Sequence, residues 1–329
     1  MSDDNQSVSS SAESVLSDKS QVKDSSLKVY LSNGRSIARS IGLGDIPDDG
    51  GKWITDHYQA IVDAVDKIES KHTQKNKIAA LNFMASTYNI DMKTQVALKM
   101  KMDTLFKEIQ AAYATNEMTD KQKENWVSAE DISAKIKQLQ AKILKPDAIT
   151  DYKEYKSVAK YLMLLFHERL PVRNDLCDVK IVDTKAKTDD PETNYIILNK
   201  KQKTATLKLN KYKTFKHHGS KTHDIPVDVV KEIIKYQPII KKFSPNDWLF
   251  PQNENPQIQI TRNSYTKYFN EIFKGDGKKV GSTQVRRAII SNVYKPQPHE
   301  YEEKQKLADI MGHTIATAQL YYAKVEHAD

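Results

Sequence analysis

The stretch Tyr195-Ile196-Ile197-Leu198-Asn199-Lys200-Lys201-Gln202-Lys203-Thr204-Ala205-Thr206-Leu207-Lys208-Leu209, with its continuation through Gly219-Ser220 to Thr222-His223-Asp224-Ile225-Pro226, is where the chain changes its hydrophobic period. On either side of it apolar residues recur every three or four positions. Inside it they run short and continuous or alternate with polar residues between turn-forming side chains, which is how strands read. Asn199 to Gln202 reads as a turn, and Asn210 to Lys221 as the loop of a long, lysine-rich hairpin. The expectation is a small antiparallel sheet of three strands set into an otherwise helical chain, so the fold class is mainly α with a small antiparallel β-sheet.

Toward the N-terminus the period becomes helical. Tyr155 to Leu170 predicts a helix carrying the apolar run Tyr161 to Phe166. Before it, Ser128 and Asp131 form a capping-box pattern ahead of Ile132, Ile136 and Ile143, and Pro146 ends that helix. Thr115 to Asn125 is polar and reads as a linker, which puts a domain boundary near residue 122. From Leu27 to about Asn116 the stripes Val62, Val65, Ile68, then Ile78, Leu81, Met84, then Val96, Met100, Leu105, Ile109, Tyr113 predict a bundle of about four helices. Residues 1–26 hold ten serines and five acids with little to bury, the composition of a disordered tail. Downstream of Pro226, helices are expected through Ile234, over Tyr265–Phe273, Gln284–Tyr294, Lys304–Met311 and Ile315–Val325. The organisation is a tail over 1–26, a helical domain over 27–122, and a larger domain over 123–329.

Composition restricts the function. A chain of 329 residues with 39% apolar and 29% charged side chains has room for two globular domains. Its longest apolar run is six residues, too short to cross a bilayer, so no membrane partner is expected. One cysteine, Cys177, excludes an internal disulfide framework and a multi-thiolate zinc site and fits a reducing, intracellular compartment. The pair His217-His218 lacks a Cys or carboxylate cluster at ligand spacing, so no metal or other cofactor is expected. The net charge is +8, but the tail carries −3 of it, leaving +11 on residues 27–329. Eight lysines fall between Lys200 and His223 without one acid. That concentration, interleaved with strand residues, points to a polyanionic partner.

Cutting a phosphodiester without a metal requires cationic donors around the non-bridging oxygens, an in-line nucleophile and an acid for the leaving oxygen. The larger domain holds such a set in order. Arg173 ends Leu170-Pro171-Val172-Arg173, Lys213 lies in the hairpin, Arg286 lies in Thr283-Gln284-Val285-Arg286-Arg287, Gly312-His313 closes a helix, and Tyr322 follows nine residues after His313.

This ordered set resembles the tyrosine recombinase/integrase family. Its most specific part is Leu307-Ala308-Asp309-Ile310-Met311-Gly312-His313-Thr314 through Ala318-Gln319-Leu320-Tyr321-Tyr322-Ala323-Lys324-Val325, which matches Leu-Gly-His, eight residues, Tyr, two residues, Val, with Met311 in the Leu position. The chain resembles the versions of large DNA viruses, virophages and eukaryotic mobile elements more than the bacterial Xer proteins. The resemblance implies a helical core-binding domain over 27–122 and a mixed α/β catalytic domain over 123–329. It further implies that the Tyr322 hydroxyl attacks a DNA phosphate to form a 3′-phosphotyrosyl bond and release a 5′-hydroxyl, with no ATP or metal. Arg173 and Arg286 would hold the non-bridging oxygens, His313 would donate to the same phosphate, and Lys213 would protonate the leaving oxygen. The expected partner is double-stranded DNA, with four protomers joining two duplexes, in a host cytoplasm, a nucleus or a virion.

Each role has a rival. Lys211, Lys216 and Lys221 share the hairpin with Lys213, Arg287 competes with Arg286, and Tyr321 with Tyr322, although the nine-residue spacing selects Tyr322. Two positions depart from the family pattern. Thr283 stands where a histidine is usual, and Leu176 where an acid is common, with Asp175 one residue earlier and available to orient Arg173. A type IB topoisomerase uses a similar residue set to nick and reseal one duplex, and a DNA-binding relative without activity would keep the fold.

Overall fold

A computed structural model describes Leu16 and residues 22–213, 215–294 and 301–324, with the backbone alone for His217, Tyr301 and Glu302. The chain forms two compact units, residues 1–115 and 116–329, so the division falls a few residues before the position near 122 expected from composition.

The first unit contains five described helices rather than about four: α1 (Asp24–Ser40), α2 (Lys52–Asp56), α3 (Tyr58–Asp66), α4 (Lys71–Tyr88) and α5 (Met92–Ala114). Ser70 and Asp91 cap α4 and α5 by accepting the backbone N–H of Thr73 and Thr94. Trp53, Ile54, Ile61, Val65, Ile78, Leu81, Met84 and Leu98 form the core. In α5 the buried seam is Thr94, Leu98, Leu105 and Ile109. Val96 and Met100, read as part of that face, are 48% and 65% exposed, because a position two residues away lies roughly 200° around a helix. α1 begins inside the segment read as a tail, and Leu16 is buried in this core; the rest of residues 1–21 lies outside the described residues.

The second unit opens with α6 (Asp120–Glu124), a short helix inside the stretch read as linker, started by a reciprocal Thr119–Gln122 capping box. The capping box predicted at Ser128 and Asp131 starts α7 (Ala129–Lys142). The helix α8 (Tyr152–Arg169) is the centre of the unit. Its run Tyr161 to Phe166 covers every side of the helix and is buried throughout, which requires neighbours all round. Four helices supply them: α7, then α10 (Val227–Phe243), α11 (Arg262–Phe273) and α12 (Ser282–Tyr294). α10 runs well past the expected end at Ile234, with Pro238 accommodated inside it.

The sheet has four strands in sequential order, β1 (Val179–Asp183), β2 (Asn194–Asn199), β3 (Thr204–Leu209) and β4 (Lys221–Asp224). The expectation of three antiparallel strands is corrected by β1, which pairs parallel to β2 with Val179 opposite Asn194. β2–β3 and β3–β4 are antiparallel, with Ile196 opposite Leu207 and Leu207 opposite His223. Alternation along β3 buries Ala205, Leu207 and Leu209, and α10 packs beside it. A four-residue helix, α9 (Phe215–His218), lies in the hairpin loop. Two final helices, α13 (Tyr301–Met311) and α14 (Ile315–Tyr321), join α12 through a small separate core of Ile290, Leu307, Met311, Ala318 and Ala323. α14 stops one residue before Tyr322, short of the expected end at Val325, which lies outside the described residues. No described helix is long and apolar enough to cross a membrane.

Candidate active site

Arg173 is placed by the end of the central helix. After Leu170 the chain turns through Pro171 and Val172, leaves Arg173 partly exposed, and makes a single-turn helix over Asn174–Asp178 before entering β1. Arg286, one turn into α12, is 4% exposed, and its Nε donates to the Pro171 carbonyl at 3.0 Å. That bond joins the two arginine-bearing segments across the end of α8. Its rival Arg287, one position on, is partly buried, and its charge acts on Lys324.

His313 is presented by a helix stop. The His313 N–H donates to the Ala308 carbonyl at 2.9 Å and the Gly312 N–H to Asp309 at 3.1 Å, the reciprocal pair of a Schellman cap. It needs Gly312 at φ +67°, a left-handed conformation that an L side chain resists. The next residue, Thr314, caps α14 by accepting the Thr317 N–H at 3.1 Å. Gly-His-Thr is therefore one helix stop, one projecting imidazole and one helix start in three residues.

The Arg286 Nη2 lies 3.2 Å from His313 Nε2. A guanidinium can only donate, so Nε2 accepts and the ring proton sits on Nδ1. Burial, followed by the charges of Arg173, Arg286, Lys213 and Lys221, pulls His313 down to about 4, so the ring is neutral near pH 7. The Tyr322 ring lies 4.8 Å from the His313 ring, and the Arg286 guanidinium sits over it at 5.2 Å. These contacts belong to Tyr322, not Tyr321. Burial lowers Arg286, and the Tyr322 hydroxyl opposes that shift. The turn that follows is pinned by Ser291 of α12, whose Oγ donates to the Tyr322 carbonyl at 3.4 Å and accepts the Lys324 N–H at 2.8 Å.

Among the hairpin lysines, Lys208 pairs with Asp189 at 3.1 Å, Lys211 with Glu192 at 3.2 Å, and the Lys221 ammonium donates to the Asp309 carbonyl at 3.4 Å. Lys213 is exposed, and no ion pair or hydrogen bond joins it to another described residue. Its charge nonetheless reaches His313. The four residues Arg173, Arg286, His313 and Tyr322 and the field of Lys213 thus converge on one end of the unit.

Asp175 does not bond Arg173. It is 3% exposed and accepts from Arg262 Nη2 at 3.1 Å, while Asp178 accepts from the same nitrogen at 3.3 Å. Burial raises Asp175, and the charges of Arg262 and then Arg173 oppose the rise. Arg262 and Ser291 are residues that sequence reasoning did not single out. Arg262 opens α11 with only an N-cap signal at Thr261, and nothing local marks its two carboxylate partners some 80 positions away. Thr283, the departure from the histidine pattern, is exposed on the first turn of α12.

No family model matches the sequence, and no curated protein matches it. Among solved structures the chain is similar to the XerA recombinase, with a TM-score of 0.41 and 14% identity over 97% of this chain and 93% of that one. It is also similar to the XerH site-specific recombinase in a pre-cleavage complex with its difH substrate and in a post-cleavage complex with a palindromic difH substrate. Both comparisons give a TM-score of 0.44 and 13% identity over 94% of this chain and 95% of the other, a loose overlap of chain path.

Proposed function

We propose that this chain is a site-specific DNA recombinase that cuts and rejoins double-stranded DNA through a 3′-phosphotyrosyl intermediate, with Tyr322 as nucleophile. The observation that carries the reading is the contact of one buried guanidinium, Arg286, with both His313 at 3.2 Å and the Tyr322 ring at 5.2 Å. A buried cation beside a phenol and a neutral imidazole has a purpose where a phosphodiester anion arrives. Arg173 and Arg286 hold its non-bridging oxygens, as guanidinium forks do. His313 donates through its protonated nitrogen. The Tyr322 oxygen bonds to phosphorus as its proton leaves to solvent, the P–O5′ bond breaks, and the Lys213 ammonium gives its proton to the departing 5′-oxygen. Attack by a 5′-hydroxyl from another strand reverses the step, which requires two duplexes brought together, here by four protomers. The cations act in a partly dry site, where they stabilise the extra phosphoryl charge more than water does.

The test is covalent capture. A pool of randomised duplexes, each nicked to let the 5′-fragment escape, is mixed with the protein, and DNA-linked protein is isolated under denaturing conditions. Wild type is expected to yield an adduct at Tyr322 on a defined sequence, and Tyr322→Phe none. Equal adduct from Tyr322→Phe removes the assignment. Relaxation of supercoiled plasmid by a monomer without site preference assigns the same chemistry to a topoisomerase instead.

A further inference from the structure

The eleven-residue loop 210–220 that carries Lys213 is held by side chains rather than by the strand ladder. Asn194, the first residue of β2, is fully buried. Its Nδ2 donates to the Asp175 carbonyl and to the Lys211 carbonyl, each at 3.0 Å. Its Oδ1 accepts the Asn210 N–H at 2.9 Å and the Lys211 N–H at 2.7 Å. Both donors and both lone pairs are used. One amide therefore grips both backbone groups of Lys211, two residues before Lys213, and the carbonyl two residues after Arg173.

A second buried amide fixes the other side of the loop base. Asn210 donates to the carbonyls of Thr188, Asp190 and Thr193 at 2.9, 3.0 and 3.2 Å and accepts from Ser220 Oγ at 2.9 Å, which ties the two ends of the loop together. The Tyr212 hydroxyl closes it further by donating to the Gly219 carbonyl at 2.7 Å.

We infer that Asn194 is a positioning residue that sets Lys213 relative to Arg173, so that the leaving-oxygen acid and the phosphate clamp meet the same phosphodiester. The inference rests on the recombinase reading. An amide that only held the fold together would slow every step alike. One that acts through Lys213 would slow only the step in which the leaving oxygen needs a proton. A substrate with sulfur in place of the bridging 5′-oxygen separates the two, because a thiolate departs unprotonated.

The experiment measures single-turnover cleavage of both substrates on the duplex captured by wild type. Asn194→Ala and Asn194→Asp are expected to lose ~10-fold or more on the oxygen substrate, a fraction of a general acid's usual effect, and to approach wild type on the sulfur substrate. Lys213→Ala gives the same pattern, and Arg286→Ala is slow on both. Should the Asn194 variants fail a thermal-melt check, Tyr212→Phe with Ser220→Ala removes two other closures of the loop, one across its ends and one further out, and carries the same expectation. Equal slowing on the two substrates, or no slowing on oxygen, overturns the inference. Absence of any wild-type adduct overturns the recombinase reading itself, and this inference with it.

Discussion

His313 and His167 are both held neutral, for different reasons and with different consequences. His167 lies on α8, fully buried, its Nδ1 donating to the Met163 carbonyl at 3.0 Å and its ring edge-on to Phe269 at 4.9 Å. Burial above all pulls it down to about 3. Between the unfolded value near 6.5 and that folded value, the unfolded chain binds a proton that the folded chain does not. Stability is therefore complete above about pH 6.5 and falls as pH drops, by about 1.4 kcal/mol per pH unit from this residue. Urea titrations of wild type and His167→Phe at pH 7.5, 6 and 5 should diverge in slope by that amount, and parallel curves would contradict it. His313 is lowered chiefly by burial and the surrounding cations, and a bound phosphodiester anion would offset those cations. Its imidazole signals should titrate near pH 4 in free protein and at higher pH with DNA bound. At Cys177, buried within the single-turn helix after Arg173, burial and Asp178 push the thiol up to about 12. A thiol reagent at pH 8 should react at the unfolding rate and not faster.

At the scale of elements, the Gly312-His313-Thr314 junction joins the sequence motif to its geometry. Gly312→Ala places a Cβ at φ +67°. It is expected to cost about 1 kcal/mol and to displace the His313 imidazole, lowering adduct formation more than the stability loss alone predicts. Thr314→Ala removes the cap of α14 at a similar cost of about 1 kcal/mol but leaves the Schellman turn, so its effect on adduct formation should be the smaller. Equal loss of activity in the two would mean that the turn does not set His313. This junction was legible in the sequence because its parts are local: a left-handed residue, a projecting side chain and a cap within three positions. The central helix was legible for the same reason, since its apolar run is local, although the expected start at Tyr155 left out the first turn and its caps, Asp151 and Glu154. The strand β1 was not. It is five residues long, follows directly on a helical turn, and gains its partner from a parallel strand eleven positions beyond its end, so no hairpin signal marks it. Asn194, Asn210 and Arg262 were hidden by the same physics: a buried polar residue is defined by partners distant in sequence, and periodicity carries no record of them. The exposed Val96 and Met100 are the converse case, an apolar spacing compatible with a helix but set on a face the core does not use.

Over the whole molecule, the positive charge is not shared evenly. Residues 27–115 hold 12 basic and 10 acidic side chains, whereas residues 116–329 hold 37 and 28. If phosphate contacts follow charge, most counterion release on DNA binding belongs to the second unit. That unit also contains what holds its own C-terminal segment. The Lys324 ammonium donates to the Glu117 carbonyl at 3.2 Å, and the Asn116 amide, with its nitrogen turned toward them, reaches the carbonyls of Gln319 and Ala323 at 3.1 and 3.0 Å. A fragment spanning 116–329 keeps these ties, the core around α8 and every residue of the proposed site. It is expected to form the Tyr322 adduct at saturating DNA and to retain more than half of the full-length slope of log affinity against log salt, each phosphate contact contributing about 0.9 to that slope. A fragment beginning at residue 126 loses Asn116 and Glu117 and should bind with the same slope but form less adduct, because the segment after Tyr322 is then held by Ser291 alone among these ties. Loss of most of the slope in the longer fragment would place the principal phosphate contacts in the helical first unit, despite its nearly balanced charge.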